Sequence, residues 1–343
     1  MLSRYLHGLC LAGAAVFSVH AVAAEFQLEN DQDALIGKLQ VIHSTYEDTL
    51  PNIAREYDLG YDEIKLSNPD VDTWLPGDGK EILLPTEFVL PYAPHKGIVL
   101  NIPEMRLYYY PPHKKGAPAK VITYPLGVGR EGWNTPYVRT RIIQKQKDPA
   151  WYPPESIREE HAANGDPLPK LIGPGPDNPL GQYALRLALP SYLIHGTNKP
   201  SGVGMRVSHG CIRLYPENIE QLFKIVKRGT TVDIVNQPFK LGLHAGKIYL
   251  EAHPYLQEDA PLFKDNLTSV VRILIGITGN NNYQMNWDLA KQVIHEMNGI
   301  PVVVGSIGQP ADDTAGAVEK GATGTKQNAI KLRLDTKLKK SKQ

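Results

Sequence analysis

A lone thiol with two histidines nearby is the part of this sequence best suited to covalent chemistry. His195-Gly196 precedes the stretch Ser208-His209-Gly210-Cys211. A cysteine becomes a nucleophile when its pKa is lowered and a base can take its proton. Gly210 has no Cβ, so it allows a tight turn and leaves room for a substrate carbonyl beside the sulfur. A backbone N–H near Cys211 is then a candidate oxyanion donor.

Arg213 follows the thiol by two positions, which places it on the same side as Cys211 if the segment is extended. Its guanidinium could pair with a substrate carboxylate. Spacing alone leaves other interpretations open. Cys211 could be a buried structural thiol, either histidine could be a structural residue, and His195, His209 and Cys211 could bind zinc. Structural zinc sites require four ligands, and the mature chain offers no other cysteine.

The first residues predict export. Arg4, an apolar run and the small residues 21–24 are typical of a signal peptide, predicted at 1–24. The alternative of an uncleaved membrane anchor is disfavoured because the run is shorter than the ~20 residues that a span requires. Leu9 argues against lipid attachment at Cys10. After cleavage Cys211 is the only cysteine, so no internal disulfide can form, and no later segment predicts a transmembrane span.

Composition narrows the function further. The chain has 343 residues, of which 42% are hydrophobic, and its formal net charge is +1. That length suffices for two or three domains, each with a packed core. A nucleic-acid-binding protein normally carries a clear basic excess, so this class is not predicted. We therefore expect an exported enzyme of several domains.

Three folded regions are predicted from hydrophobic periodicity and turn residues. After a polar lead-in at 25–37, residues 38–86 predict a small α/β module of βααβ order. Residues 97–237 predict a mostly β, sandwich-like domain, with one helix after Pro216 and a proline-rich loop over 146–182. Residues 238–305 predict a small α+β region with a helix from Trp287, capped by Asn286. Residues 306–343 are polar, and we expect this tail to be disordered.

The module at 38–86 resembles LysM modules. The matching residues are Asp48-Thr49-Leu50, Ile53-Ala54, Ser67-Asn68-Pro69, Leu75-Pro76-Gly77 and Ile82-Leu83-Leu84-Pro85. LysM modules bind glycans that contain N-acetylglucosamine, so the resemblance implies anchoring to peptidoglycan. A small βααβ domain without affinity for sugars is the alternative.

Residues 97–237 resemble the YkuD-type L,D-transpeptidase domain. That family's signature is a His-Gly pair, a spacer, then Ser/Thr-His-Gly-Cys, an apolar residue and Arg or Asn. This chain provides His195-Gly196, Ser208-His209-Gly210-Cys211, Ile212 and Arg213. Residues 124–129 also match the family, and the loop 175–181 matches its Gram-negative periplasmic branch, whose members carry a LysM-like module.

The resemblance implies that Cys211 is the nucleophile and His195 the proton acceptor and donor. It implies that Gly196, Ser208, His209, Gly210 and Arg213 shape the site or hold substrate. No metal and no cofactor is expected. The implied partners are peptidoglycan glycan and stem peptides, and the implied location is the periplasm.

Several acceptors are compatible with this chemistry. A tetrapeptide stem would acylate Cys211 and release D-alanine. The acyl group would then pass to the lysine of an outer-membrane lipoprotein, which the Ser-His-Gly-Cys form favours. Alternatively it would pass to a second stem as a 3→3 cross-link, to water or to a D-amino acid. The family also implies acylation by carbapenems. An alternative of another class is a non-catalytic wall-binding protein.

Overall fold

The computed structural model describes residues 24–28, 33–114, 116–263, 266–279 and 281–308. The predicted signal peptide therefore lies outside the described residues apart from Ala24, and so does the predicted tail apart from residues 306–308. In the described residues, no helix is both long and apolar enough to cross a bilayer.

Strands dominate the structure, as the sequence predicts for a mostly β protein. In chain order they are β1 (Ala24–Leu28), β2 (Leu35–Gly37), β3 (Gln40–His43), β4 (Glu81–Leu84), β5 (Glu87–Val89), β6 (Gly97–Asn101), β7 (Arg106–Tyr110), β8 (Ala119–Pro125), β9 (Val128–Gly129), β10 (Arg139–Lys147), β11 (Tyr183–Leu187), β12 (Leu193–His195), β13 (Arg206–Ser208), β14 (Ile212–Arg213), β15 (Thr231–Val235), β16 (Phe239–His244), β17 (Lys247–Ala252), β18 (Tyr283–Met285) and β19 (Val302–Ile307).

The helices are few and mostly short. They are α1 (Leu50–Glu56), α2 (Tyr61–Ser67), α3 (Glu155–Ala163), α4 (Pro216–Ile225), α5 (Asn266–Thr278) and α6 (Trp287–Glu296). Helix α4 begins at Pro216 as predicted, because proline needs no N–H partner at a first turn. Helix α6 begins after Asn286, whose side chain accepts a hydrogen bond from the N–H of Leu289.

Two segments differ from the sequence-based expectations. The lead-in at 25–37 contains β1 and β2 rather than loop, because Phe26 and Leu28 alternate with polar residues and pack into the core. The proline-rich segment 146–182 contains α3. Its prolines at 153 and 154 precede the helix, where a missing N–H breaks no intrahelical bond. A further difference is helix α5, which the sequence analysis did not predict.

The largest sheet has nine strands in the order β1-β8-β7-β6-β15-β10-β11-β12-β14. The pairing of β10 with β11 is irregular, because its register shifts between Ile142 and Gln144. Side chains from well-separated strands of the sheet, Leu107 on β7 and Ile194 on β12, enter the same apolar core together with Leu222 of α4. The sheet thus closes over itself in a sandwich-like manner, with β12 and β14 at one edge.

Strands β6 and β7 are buried on both faces, because two cores cover them. Leu107 and Tyr109 point into the core around α4, whereas Tyr108 and Tyr110 point into the core formed with α1 and α2. Within residues 38–86, β3 pairs antiparallel with β4 around these two helices, which is the predicted βααβ order. This segment therefore packs directly on the large sheet.

A buried charged cluster joins the C-terminal region to that sheet. The Nζ of Lys240 on β16 lies 2.6 Å from an oxygen of Glu104 and 2.7 Å from an oxygen of Glu251, and all three side chains are fully buried. His253 contacts Glu251 at 2.5 Å. Glu104, Glu251 and His253 also bring candidate metal-ligand atoms within 4.8 Å of one another, but the Lys240 ammonium already lies between the two carboxylates.

Replacing Lys240 with methionine should destabilise the protein strongly, because two buried carboxylates would lose their shared cation. Removing one partner of a buried ion pair costs about 3–5 kcal/mol, and urea unfolding should show a loss of this size. Lys224→Met, which breaks the exposed pair with Glu220, is the matched control and should change the free energy of unfolding by less than about 1 kcal/mol. Equal effects of the two changes would contradict this account.

Candidate active site

The parallel pairing of β12 with β14 brings the predicted residues together. Ile194 lies opposite Ile212, and His195 lies opposite Arg213. Both isoleucines are fully buried in the apolar core. Because side chains alternate along a strand, His195 and Arg213 point to the other face. Cys211 immediately precedes β14, next to Leu193 on the neighbouring strand.

His195 is buried and held in one tautomer. Its Nδ1 lies 2.6 Å from the carbonyl oxygen of Gly196. A carbonyl oxygen only accepts, so Nδ1 carries the proton and Nε2 keeps a free lone pair. Burial, together with the nearby positive charge of Arg213, lowers the pKa of His195 to about 3. The imidazole is therefore neutral at physiological pH and can accept a proton at Nε2.

Cys211 is partly buried and contacts backbone groups on the turn before β12. Its Sγ lies 3.5 Å from the carbonyl oxygen of Ser191. Burial raises the pKa of the Cys211 thiol, whereas the N–H of Leu193 and the charge of Arg213 act in the opposite direction. In this state the thiol is protonated at neutral pH, because desolvation outweighs the stabilising contacts.

Two backbone carbonyl groups hold the loop of residues 209–211, here called the thiol loop, in place. Ser208 Oγ donates to the Cys211 carbonyl at 2.6 Å, and Thr135 Oγ1 donates to the Gly210 carbonyl at 2.9 Å. Gly210 has a φ of +97°, which disfavours any residue with a side chain. A Cβ at this position would also approach the ring of Tyr192 to 3.2 Å.

Arg213 is a cation without a protein counter-ion in the described residues. Its Nε is buried and has no hydrogen-bond partner. Burial lowers the pKa of Arg213, and only its interaction with Cys211 opposes this effect. A guanidinium left unpaired beside a candidate nucleophile is suited to an anionic group of a substrate.

His209 points towards a different set of residues. Its Nε2 lies 3.2 Å from both Arg130 Nη2 and Glu160 Oε2, and its ring packs edge-on against Trp133. Glu160 belongs to α3 and also accepts a hydrogen bond from Arg130. His209 therefore joins the thiol loop to α3, and a zinc site shared by His195, His209 and Cys211 finds no support in this geometry.

Gly196 allows α4 to pack closely against the end of β12. A Cβ there would lie 3.0 Å from the Ile219 side chain of α4, which is tighter than an ordinary van der Waals contact. Sequence reasoning did not identify Ser191, Tyr192 and Thr135 as part of the site. The signal for Ser191 is structural, since its φ of +69° is rare for a residue with a side chain.

Similar proteins place this chain in a family. Residues 95–234 match the YkuD family, the L,D-transpeptidase catalytic domain. The probable L,D-transpeptidase YcfS of Escherichia coli is 36% identical over 313 residues, which cover 88% of this chain and 95% of that protein. The chain belongs to the L,D-transpeptidase family. It is therefore an acyltransferase.

Two further L,D-transpeptidase relatives from Escherichia coli match most of their own length. The probable L,D-transpeptidase YbiS is 41% identical over 70% of this chain and 80% of its own length. The probable L,D-transpeptidase ErfK/SrfK is 34% identical over 88% of this chain and 98% of its own length. The similarity thus extends beyond the catalytic domain.

The pKa directions predict how the thiol reacts. Alkylation of Cys211 by iodoacetamide should rise with pH, with a midpoint above the ordinary cysteine value of about 8.5, because burial favours the neutral thiol. The urea-unfolded chain is the control and should give the ordinary midpoint. A folded-state midpoint below about 7 would instead indicate a thiolate–imidazolium pair and contradict the assignment.

Proposed function

We propose that this protein transfers an acyl group from a peptidoglycan tetrapeptide stem through Cys211, with His195 as the proton carrier. The supporting observation is the register of β12 and β14: His195 lies opposite Arg213, which follows Cys211 by two positions. Membership of the L,D-transpeptidase family supports the choice of substrate.

In the first step the Cys211 sulfur attacks the carbonyl at the L-centre of the third stem residue. As the S–C bond forms, the thiol proton passes to Nε2 of His195, which is free because Nδ1 is bound to Gly196. The C–N bond to D-alanine then breaks, and the imidazolium returns the proton to the leaving amine. The products are D-alanine and a thioester on Cys211.

In the second step an amine attacks the thioester. His195 Nε2 accepts the proton of the amine, an amide bond forms, and the thiolate leaves and regains that proton. The neutral resting pair suits this scheme, because the imidazole is unprotonated whenever it must act as a base. Charge develops only during the reaction, next to the Arg213 guanidinium.

Arg213 and the thiol loop provide two ways to stabilise negative charge. In the described part of the chain, the Cys211 N–H has no hydrogen-bond acceptor in the protein, so it is available to an oxyanion. Arg213 is available to the terminal carboxylate of the donor, which lies one residue from the bond that breaks. Both roles follow from groups that the protein leaves unpaired.

For the acceptor, we propose the lysine amine of an outer-membrane lipoprotein. The Ser208-His209-Gly210-Cys211 form of the motif and the similarity to YcfS, YbiS and ErfK/SrfK over most of the chain support this choice. The second candidate is the side-chain amine of another stem. The predicted signal peptide supports action in the periplasm.

Muropeptide analysis in a strain without its own L,D-transpeptidases tests the reaction and the acceptor together. Expression of the protein should add tripeptides linked to lipoprotein lysine, whereas 3→3 dimers would identify a stem as the acceptor. Cys211→Ala and His195→Gln should each lower the product by about 1000-fold or more, because nucleophile and base act as a unit. The exposed His113→Gln is the matched control. Unchanged product in Cys211→Ala would refute the proposal.

The segment 38–86 is proposed to bind peptidoglycan glycan. Two of its loops are joined where Ser44 Oγ donates to the Gly77 carbonyl at 2.6 Å. These loops expose Tyr46, Trp74 and Leu75. Exposed aromatic rings on adjacent loops offer flat apolar surfaces, which suit the faces of sugar rings.

Trp74→Ala should weaken binding to purified sacculi by about 2- to 10-fold through the loss of one aromatic contact. Co-sedimentation with sacculi measures this effect. Tyr92→Ala removes an aromatic residue of comparable exposure outside the module and should leave binding unchanged. If both variants sediment like the parent protein, the module does not use this surface to bind glycan.

A further inference from the structure

The C-terminal region contacts the catalytic domain through two adjacent carboxylates. They lie on the 3-10 helix Gln257–Phe263, which follows β17. Glu258 accepts hydrogen bonds from Arg206 Nη1 at 3.1 Å and Nη2 at 2.6 Å. Asp259 accepts from the Tyr137 hydroxyl and, at 2.9 Å, from Asn236 Nδ2. A bidentate pair of this kind fixes orientation as well as distance.

Arg206 and Tyr137 belong to the two segments that hold the thiol loop. Arg206 begins β13, which ends at Ser208, and Ser208 Oγ donates to the Cys211 carbonyl. Tyr137 lies two residues after Thr135, whose hydroxyl donates to the Gly210 carbonyl. Glu258 is therefore connected through Arg206 and β13 to the Ser208 hydroxyl, and Asp259 is connected through Tyr137 to the Thr135 hydroxyl. These two hydroxyls position the backbone at Cys211 and Gly210.

The thiol loop depends on such support. Residues 209–211 belong to no helix or strand. Gly210 lacks a Cβ, so steric contacts restrict its backbone less than they restrict that of other residues. The position of the sulfur therefore depends on hydrogen bonds to neighbouring segments. In nucleophilic catalysis a displacement of about 1 Å can cost about 100-fold in rate.

We propose that Glu258 and Asp259 are positioning residues for Cys211, so that the C-terminal region is a working part of the catalytic apparatus. They act through Arg206 and Tyr137 and do not contact substrate. The inference deepens the proposed function and rests on Cys211 as its nucleophile.

The test compares Glu258→Gln with the parent protein, both as the full mature chain. Acyl transfer from a tetrapeptide donor should fall about tenfold in kcat, with KM within about twofold, because the sulfur is misplaced while the donor still binds. Alkylation of Cys211 by iodoacetamide should become faster, although acyl transfer becomes slower. A loosened loop exposes the thiol, so the pH midpoint should move down towards the ordinary cysteine value and the rate at neutral pH should rise.

Two matched changes separate positioning from general damage. Glu220→Gln removes an exposed pair with Lys224 and should leave both readouts unchanged. The double variant Arg206→Glu with Glu258→Arg restores an ion pair of reversed polarity and should recover part of the lost kcat. If Glu258→Gln fails to fold, Tyr137→Phe, which removes the contact with Asp259, is measured in the same way.

Slower acyl transfer together with faster alkylation supports the proposal. The proposal is overturned if neither the kcat nor the alkylation rate changes. It is also overturned if both rates fall in parallel with the unfolding temperature, since a purely structural contact would have that effect. The alkylation readout needs no peptidoglycan substrate. A failure of the proposed function would instead appear as product formation by Cys211→Ala, and the two failures are therefore distinguishable.

Discussion

The register between β12 and β14 is the constraint on which the active site depends. Ile194 and Ile212 are buried side by side in the apolar core, and this burial holds His195 opposite Arg213 on the other face. A slip of one residue would send the polar side chains into the core and the isoleucines out of it. The free energy that stabilises the fold at this edge therefore also aligns the candidate catalytic groups.

Burial has a second consequence, because it sets the charge of His195 and Cys211. Desolvation lowers the pKa of His195 and raises that of Cys211, so both groups are neutral at rest. The hydrogen bond from Nδ1 to Gly196 leaves Nε2 free to accept a proton. The positive charge of Arg213 acts on both groups and favours a lower pKa in each.

Ion pairs tie regions distant in the sequence to the catalytic domain. Arg106 on β7 is fully buried and pairs with Glu63 of α2 at 2.6 Å, which ties the N-terminal segment to the sheet. Lys240 ties the C-terminal region to Glu104, and Glu258 reaches Arg206 beside the thiol loop. Because the core formed with α1 and α2 covers one face of β6 and β7, the large sheet depends on the N-terminal segment for part of its burial.

The sequence alone identified the candidate catalytic residues and several of the regular elements. Cys211, His195 and the glycine between His209 and Cys211 were identifiable from residue type and spacing, and α4 and α6 from periodicity and from Pro216 and Asn286. Three features required the tertiary structure: the contact of His209 with Glu160 on α3, the contact of Glu258 with Arg206, and the directions of the pKa shifts. Each of them depends on burial or contact between residues far apart in the chain, and local patterns carry no information about such proximity.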